Sequence, residues 1–207
     1  MNRSARTNKT IVRYSLEAAL IVFSVLLALF LDSELEARKD ARVIAELTGH
    51  IEDEMRRNLT IVDEWLPYHG AVLAEIDRYL DSESMLQSLL TDNGIDYGRL
   101  MERGLIQDFY SDSSWQLASR SEITSQIEFN LLYSISQAYL SQQNVNNTLV
   151  RCSDHFFDRD TQNPDQLVVS LRMLRSLLQE LVGQQTVLQS QYREALVAMD
   201  ALRRDSE

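Results

Sequence analysis

Glycine and proline are scarce, six and two in 207 residues. With so little turn chemistry, a multi-stranded β fold is excluded. A single cysteine, Cys152, excludes an internal disulfide framework and any zinc site built on several thiolates. Basic residues are outnumbered, 20 against 31 acidic, for a formal net charge of −11. Phosphate backbones are held by clustered Lys and Arg, so nucleic acid is excluded as the main partner. No Gly-rich phosphate loop, His-Glu-x-x-His, Cys-x-x-Cys or Gly-x-Ser-x-Gly occurs. What is present is length enough to bury a core and long stretches of helical periodicity.

The charge is unevenly placed. Arg3, Arg6, Lys9 and Arg13 make residues 1–16 a basic segment without an acid; beyond Glu17 the balance is 16 basic to 30 acidic. Between them, in residues 18–31, Ser24 is the only polar side chain. A helix apolar all round must be covered on every side, by protein or by lipid. With Tyr14, Ser15, Leu16 and Glu17 the run reaches 18 residues, the length of a membrane-spanning helix. Arg13 can snorkel to the headgroups. No small-x-small cleavage site follows the run, where Phe30, Leu31 and Asp32 stand. The reading is three segments: a basic 1–13, a transmembrane helix 14–32, and a helical bundle 33–207. Four basic residues before the span and three after it, Arg38, Lys39 and Arg42, favour a cytoplasmic N-terminus and a periplasmic C-terminal domain. Glu17 is the one ionisable group in the span, as a boundary residue at the positive end of the helix dipole or as a contact between spans.

The remaining chain reads as helices. Val43, Leu47, Ile51, Met55, Leu59, Val62 and Leu66 form one stripe that Pro67 ends or kinks. A second helix is expected through Val72, Ile76 and Leu80 to about Leu90, followed by a turn at Thr91-Asp92-Asn93-Gly94. Ser119 and Glu122 have capping-box spacing, ahead of a stripe at Ile123, Ile127, Leu131, Ile135, Ala138, Val145, Leu149, Cys152 and Phe156. Asn163-Pro164-Asp165 opens the last helix. Its seam is the most regular in the chain: Leu167, Leu171, Leu174, Leu178, Leu181, Gln185, Leu188 and onward, alternating steps of four and three. Gln185 is the polar member, read as register-setting. The fold class is all-α, a transmembrane helix continuing into a bundle of long antiparallel helices.

Chemical candidates are few. Glu46, His50 and Glu54 lie at i, i+4 and i+8, a spacing that more often marks a solvated face than a metal site. Cys152 falls on the apolar stripe beside His155, and His69 follows Pro67 where exposure is the default. No catalytic residue, cofactor or metal is assigned.

The order Tyr14, Glu17, an apolar block closing on Ala28-Leu29, then Glu36, Arg38 and Lys39 resembles a bacterial membrane-protein family, domain of unknown function 6090. Trp115, Leu117, Ser119 and Ile123 are similar to its mid-chain Trp-x-x-Leu-x-Ser stretch. Asp32, Ser33, Glu34 and Leu35 depart from its Asn- and Trp-rich juxtamembrane pattern. The resemblance implies one N-terminal span in a bacterial inner membrane and a helical domain, without an activity. The expected function is an anchored interaction, sensing or scaffold module, with the membrane, a protein or another copy as partner. The alternatives are a membrane effector or channel component that oligomerises through Glu17, and an enzyme with a site in 95–122.

Overall fold

The computed structural model describes residues 4–92, 94–105 and 109–205, with the side chains of those between 20 and 204. It is mostly helical, with three long helices: α1 (Ser4–Leu80), α4 (Phe129–Phe157) and α5 (Leu167–Asp205). Short elements lie between them: α2 (Glu83–Ser88), a minimal hairpin of β1 (Leu90–Thr91) and β2 (Gly94–Ile95), and α3 (Ser113–Ser119). The chain divides into two units, Met1–Glu46 and Leu47–Glu207, and α1 contributes to both.

In the first unit every residue from 20 to 38 is exposed, including Leu20, Ile21, Phe23, Leu26 and Phe30. Ser24 donates back to the Leu20 carbonyl at 2.7 Å, so its hydroxyl is paired within its own helix. Among the described residues no helix is long and apolar enough to cross a membrane; the side chains of residues 14–19, the first part of the expected span 14–32, lie outside them. The described apolar part of that span, residues 20–31, covers about 18 Å of the ~30 Å hydrocarbon core, and Asp32, Glu34 and Glu36 follow it.

The second unit is a three-helix bundle of residues 47–80 of α1 with α4 and α5. Cross-helix pairs fix its directions. Asp63 of α1 accepts from Gln189 and Arg193 of α5, while Asp77, further along α1, meets the earlier Arg175, so these helices are antiparallel. Asn58 with Gln142 and Glu54 with Tyr139 make α4 parallel to α1. The Arg151–Glu180 and Gln142–Tyr192 pairs make α4 antiparallel to α5. The core comes from Ile51, Met55, Val62 and Ile76 of α1, Leu131, Ile135, Val145 and Leu149 of α4, and the seam of α5. Each fully buried Leu or Ile contributes roughly 1.5–3 kcal/mol relative to exposure.

Three local expectations are corrected. Of the two readings of Pro67, an end or a kink, the end is excluded and no new helix starts there, since α1 runs through it to Leu80. Pro67 is exposed, and buried Val62, Val72 and Ile76 on either side hold the helix against its neighbours. Several such side chains outweigh the ~3 kcal/mol of an interior proline. Second, Ser119 does not cap a helix at Glu122, because its hydroxyl turns back to the Gln116 carbonyl. Residues Glu122–Gln126 form a 3-10 turn, and α4 begins at Phe129, capped by the Glu128 carboxylate accepting from the amides of Asn130 and Leu131 at 2.9 and 2.8 Å. Third, the turn after α2 is the tip of a two-stranded ladder, with Thr91 opposite Gly94. Gly94 has φ +115°, a conformation that favours glycine. The cap expected at Asn163 does form, on the Asp165 amide at 3.1 Å.

Candidate functional site: a polar seam inside the bundle

Along α1 the apolar stripe is interrupted by Glu54, Asn58 and His69, each at most 2% exposed. Burying polar groups costs stability unless each finds a partner, and here partners converge from three elements. Glu54 Oε1 accepts from the Tyr139 hydroxyl at 2.7 Å. Its Oε2 accepts from the Ser111 hydroxyl at 2.8 Å and the Ser114 amide at 3.0 Å. Burial pushes the Glu54 carboxyl up, but the bonds from Ser114, Tyr139 and Ser111, with a smaller contribution from the neighbouring Trp115 amide, together outweigh it and leave the pKa below the ordinary carboxylate value. Trp115 of α3 lies flat on Tyr139, ring centroids 5.4 Å apart.

One turn on, Asn58 closes a ring of amides. Its Nδ2 donates to the Ser111 carbonyl at 2.7 Å and to Gln142 Oε1 at 3.1 Å, and its Oδ1 accepts from the Ser111 amide at 3.1 Å. Gln142 donates to the carbonyls of Tyr110 and Ser111, and the Tyr192 hydroxyl of α5 donates to Gln142 Oε1. Burial raises the Tyr139 and Tyr192 phenols far above their ordinary range, so both stay protonated donors. The backbone of Tyr110 and Ser111 is thereby pinned to α1 and α4, and Gln142 is in turn held by Tyr192 of α5.

The second cluster centres on His69 and Gln185. His69 Nδ1 lies 2.9 Å from Gln185 Oε1, and Nε2 lies 3.3 Å from the Leu105 carbonyl. A carbonyl only accepts, so Nε2 carries the proton. A neutral ring then needs Gln185 to turn its NH2 toward Nδ1 and accept from the Tyr110 hydroxyl, which stands 3.2 Å from the Gln185 amide. Burial lowers the His69 pKa against the bonds to Gln185 and Leu105, and nearby Arg103 lowers it further. Arg103 stacks over Trp65 at 4.4 Å and Tyr68 at 5.2 Å and pairs with Glu64. The Tyr68 hydroxyl donates to the Gly104 carbonyl and accepts from the Arg103 amide. Residues 103–105 and 109–115 are therefore strapped across α1 by side chains of α1 itself.

The seam residues of α5 lie inside the bundle: Leu167, Leu171, Leu174, Leu178, Leu181, Gln185 and Leu188 are all buried. Gln185 joins α5 to His69 of α1 and to Tyr110. The side chain of Glu17 lies outside the described residues. His69, expected to be exposed, is fully buried, because α1 continues past Pro67 and places it on the inner face. His50 is exposed, and Glu54 is taken up by its three donors. No group of three His, Cys, Asp or Glu among the described residues is placed to hold a metal ion. Cys152 is buried, which pushes its thiol up to about 11. His155 bonds the Ser170 carbonyl at 3.0 Å and, with Asp158, Asp160, Val169 and Met173, lines an open cleft of about 510 Å³ at the turn between α4 and α5.

Asn58, Tyr139, Gln142 and Tyr192 carry no motif. For the polar residues of α1 the usable signal is positional: Asn58 and His69 continue the run Ile51, Met55, Val62, Val72, Ile76 in steps of three and four, with one double step between Val62 and His69. No protein-family model, curated protein or solved structure matches the chain.

Proposed function

We propose that this chain is a membrane-anchored helical interaction module, with the bundle as its working domain and the N-terminal part of α1 as its anchor. The observation that carries the reading is residues 20–31, twelve consecutive positions exposed to the last and apolar except for Ser24. Contiguous apolar surface of that extent marks a face that meets protein or lipid. Extending the run back through residues 14–19 gives the length a span needs, and the basic residues before it suit anionic headgroups. The similarity of residues 14–39 to domain of unknown function 6090 points the same way. On this reading the N-terminus is cytoplasmic and the bundle lies on the periplasmic side of a bacterial inner membrane. The polar seam gives that bundle one defined register, which suits a scaffold that presents a fixed surface.

Alkaline extraction of membranes from expressing cells tests the anchor. The full chain should stay with the membrane, and changing Ile21, Val25 and Leu29 to Asp together should release it. A full chain that is released like a peripheral protein refutes the reading. Alkaline phosphatase fused after Glu207 should be active, and an inactive fusion reverses the orientation.

A further inference from the structure

The surface of α4 differs from every other long surface of the bundle. Residues 129–150 contain no Asp, Glu, Lys, Arg or His, the longest uncharged run in a chain that is one-quarter charged. The inner face of the run is core, through Leu131, Ile135, Ala138, Val145 and Leu149. Its outer face is exposed: Phe129 at 74%, Tyr133 at 58%, Leu140 at 52% and Val150 at 46%, with Gln143, Asn144 and Asn147 between them. The Phe129 and Tyr133 rings are stacked on each other, leaving one side of each to solvent. Aromatic enrichment and depletion of charge are the compositional marks of an interface core.

The net charge selects the occupant. At −11, two copies of this chain repel over most of their surfaces. Bringing α4 to α4 places only neutral side chains in contact, with Asn and Gln able to donate and accept across a two-fold axis. A self-complementary patch is what an isologous dimer requires. A strongly basic partner would find no carboxylate here to pair with, and a strongly acidic one no cation. We infer that the outer face of α4 is the contact between two copies of this chain.

Size sets the strength. Twenty-two helical residues rise ~33 Å, and a face ~10 Å wide covers about 330 Å² per copy. The total is well below the ~1,200–2,000 Å² of stable free complexes. The contact therefore belongs to the transient class, and confinement of both copies to one membrane raises its occupancy. In that respect the inference rests on the anchored reading.

The test uses the full chain in its membrane. Asn144→Cys places a thiol on the outer face, while the native Cys152 is buried and serves as the unreactive background. A short bismaleimide should join Asn144→Cys copies into a species of doubled mass, and Arg172→Cys, on an exposed position of α5, should give none. Adding Leu140→Glu to both copies should lower the yield about tenfold or more, the scale of a lost interface anchor. Mixing Leu140→Glu copies with Leu140→Lys copies should restore it, because residue 140 sits at the centre of the run and meets its counterpart. Circular dichroism melts should be unchanged in all, since the altered positions are exposed. A yield no higher than that of Arg172→Cys, a yield indifferent to Leu140→Glu, or a mixed pair that fails to recover overturns the inference. Alkaline extraction of the same samples separates the two readings: loss of cross-linking with the chain still in the membrane refutes the α4 contact alone.

Discussion

Replacing Glu54 by Leu and by Gln separates the two things a buried carboxylate does. In Leu, three donors lose their acceptor: the Tyr139 hydroxyl, the Ser111 hydroxyl and the Ser114 amide. Tyr139 is only 4% exposed and has no water to turn to, so it bears the full cost of an unmade bond. Ser111 is exposed and can rehydrate. At about 1–3 kcal/mol for each orphaned buried group, with one group fully and one partly affected, the loss is roughly 2–4 kcal/mol. A shift of ~2–4 °C per kcal/mol for a domain of this size gives a fall in melting temperature of about 5–15 °C. Glutamine keeps one acceptor oxygen and sets its NH2 against the remaining donors, so its cost is smaller, roughly 1–2 kcal/mol.

The pH dependence distinguishes the variants further. The Glu54 pKa is lower in the folded chain than its ordinary value of 4.5. In acid the unfolded state therefore binds the proton first. The stability that Glu54 supplies is complete above pH 4.5 and is lost as pH falls through the folded pKa. A glutamine side chain cannot titrate, so the step below pH 4.5 should shrink in Glu54→Gln. The assay is urea unfolding of the full chain in detergent micelles, followed by far-ultraviolet circular dichroism and, in a Trp65→Phe background, by Trp115 fluorescence, which reports the stack on Tyr139. If Glu54→Leu unfolds at the wild-type urea concentration, or if Glu54→Gln keeps the acid step at full size, the carboxylate does not hold the three donors together.

Other outcomes follow from the same contacts. His69, with its pKa lowered from 6.5 by burial, contributes stability that is complete above pH 6.5 and is lost as pH falls, so His69→Gln should remove a second step lying above that of Glu54 in titrations of the same unfolding midpoint. Gln185→Leu, which on an apolar seam alone should stabilise, is expected to cost about 1–3 kcal/mol by stripping His69 and Tyr110 of their partner, and an unfolding midpoint above wild type refutes this. Leu178→Ala, fully buried mid-seam, should cost roughly 2–5 kcal/mol in the same urea titration. Energy transfer between labelled copies of the full chain in bilayers, with Glu, Gln or Leu at position 17, should be equal if Glu17 is a boundary residue; a fall with Gln or Leu assigns it to contact between spans.

How far the chain is legible depends on what kind of residue sets each element. The α5 seam can be traced from Leu167 to Leu188 because burial there follows a 3.5-residue period with one polar interruption. Asn163 and Pro164 can be read because a cap acts within three residues. The α1 stripe slips in phase after Met55. The sequence run continues through Leu59 and Leu66, but the buried positions are Asn58, Val62 and His69, while Leu59 and Leu66 are only half-buried. Periodicity read from apolar residues alone follows Leu, whereas burial follows geometry and accepts Asn or His where partners exist. The partners of Asn58 are the Ser111 backbone and Gln142, 53 and 84 positions away, and no local window contains them. Pro67 misleads for the same reason, since what carries the helix through it is packing contributed from elsewhere in the chain.

The polar seam also explains why one register is chosen. Leucines at 171, 174, 178 and 181 would pack nearly as well after sliding α5 by one heptad, because each step returns a leucine to the same face. Gln185 would not. A seven-residue shift takes it from His69 and Tyr110, breaking the bond at His69 Nδ1 and the one to the Tyr110 hydroxyl, at about 1–3 kcal/mol for a buried group so stranded. Tyr192 and Gln142 impose the same condition between α5 and α4, and Asn58 imposes it between α4 and α1. The three pairings close a loop, so no helix can slide alone. Fixing α4 against both neighbours also fixes which of its residues face outward, and those are the uncharged Phe129, Tyr133, Leu140 and Asn144. The interior polar network and the neutral exterior face are thus two sides of one helix, the first determining how the second is presented.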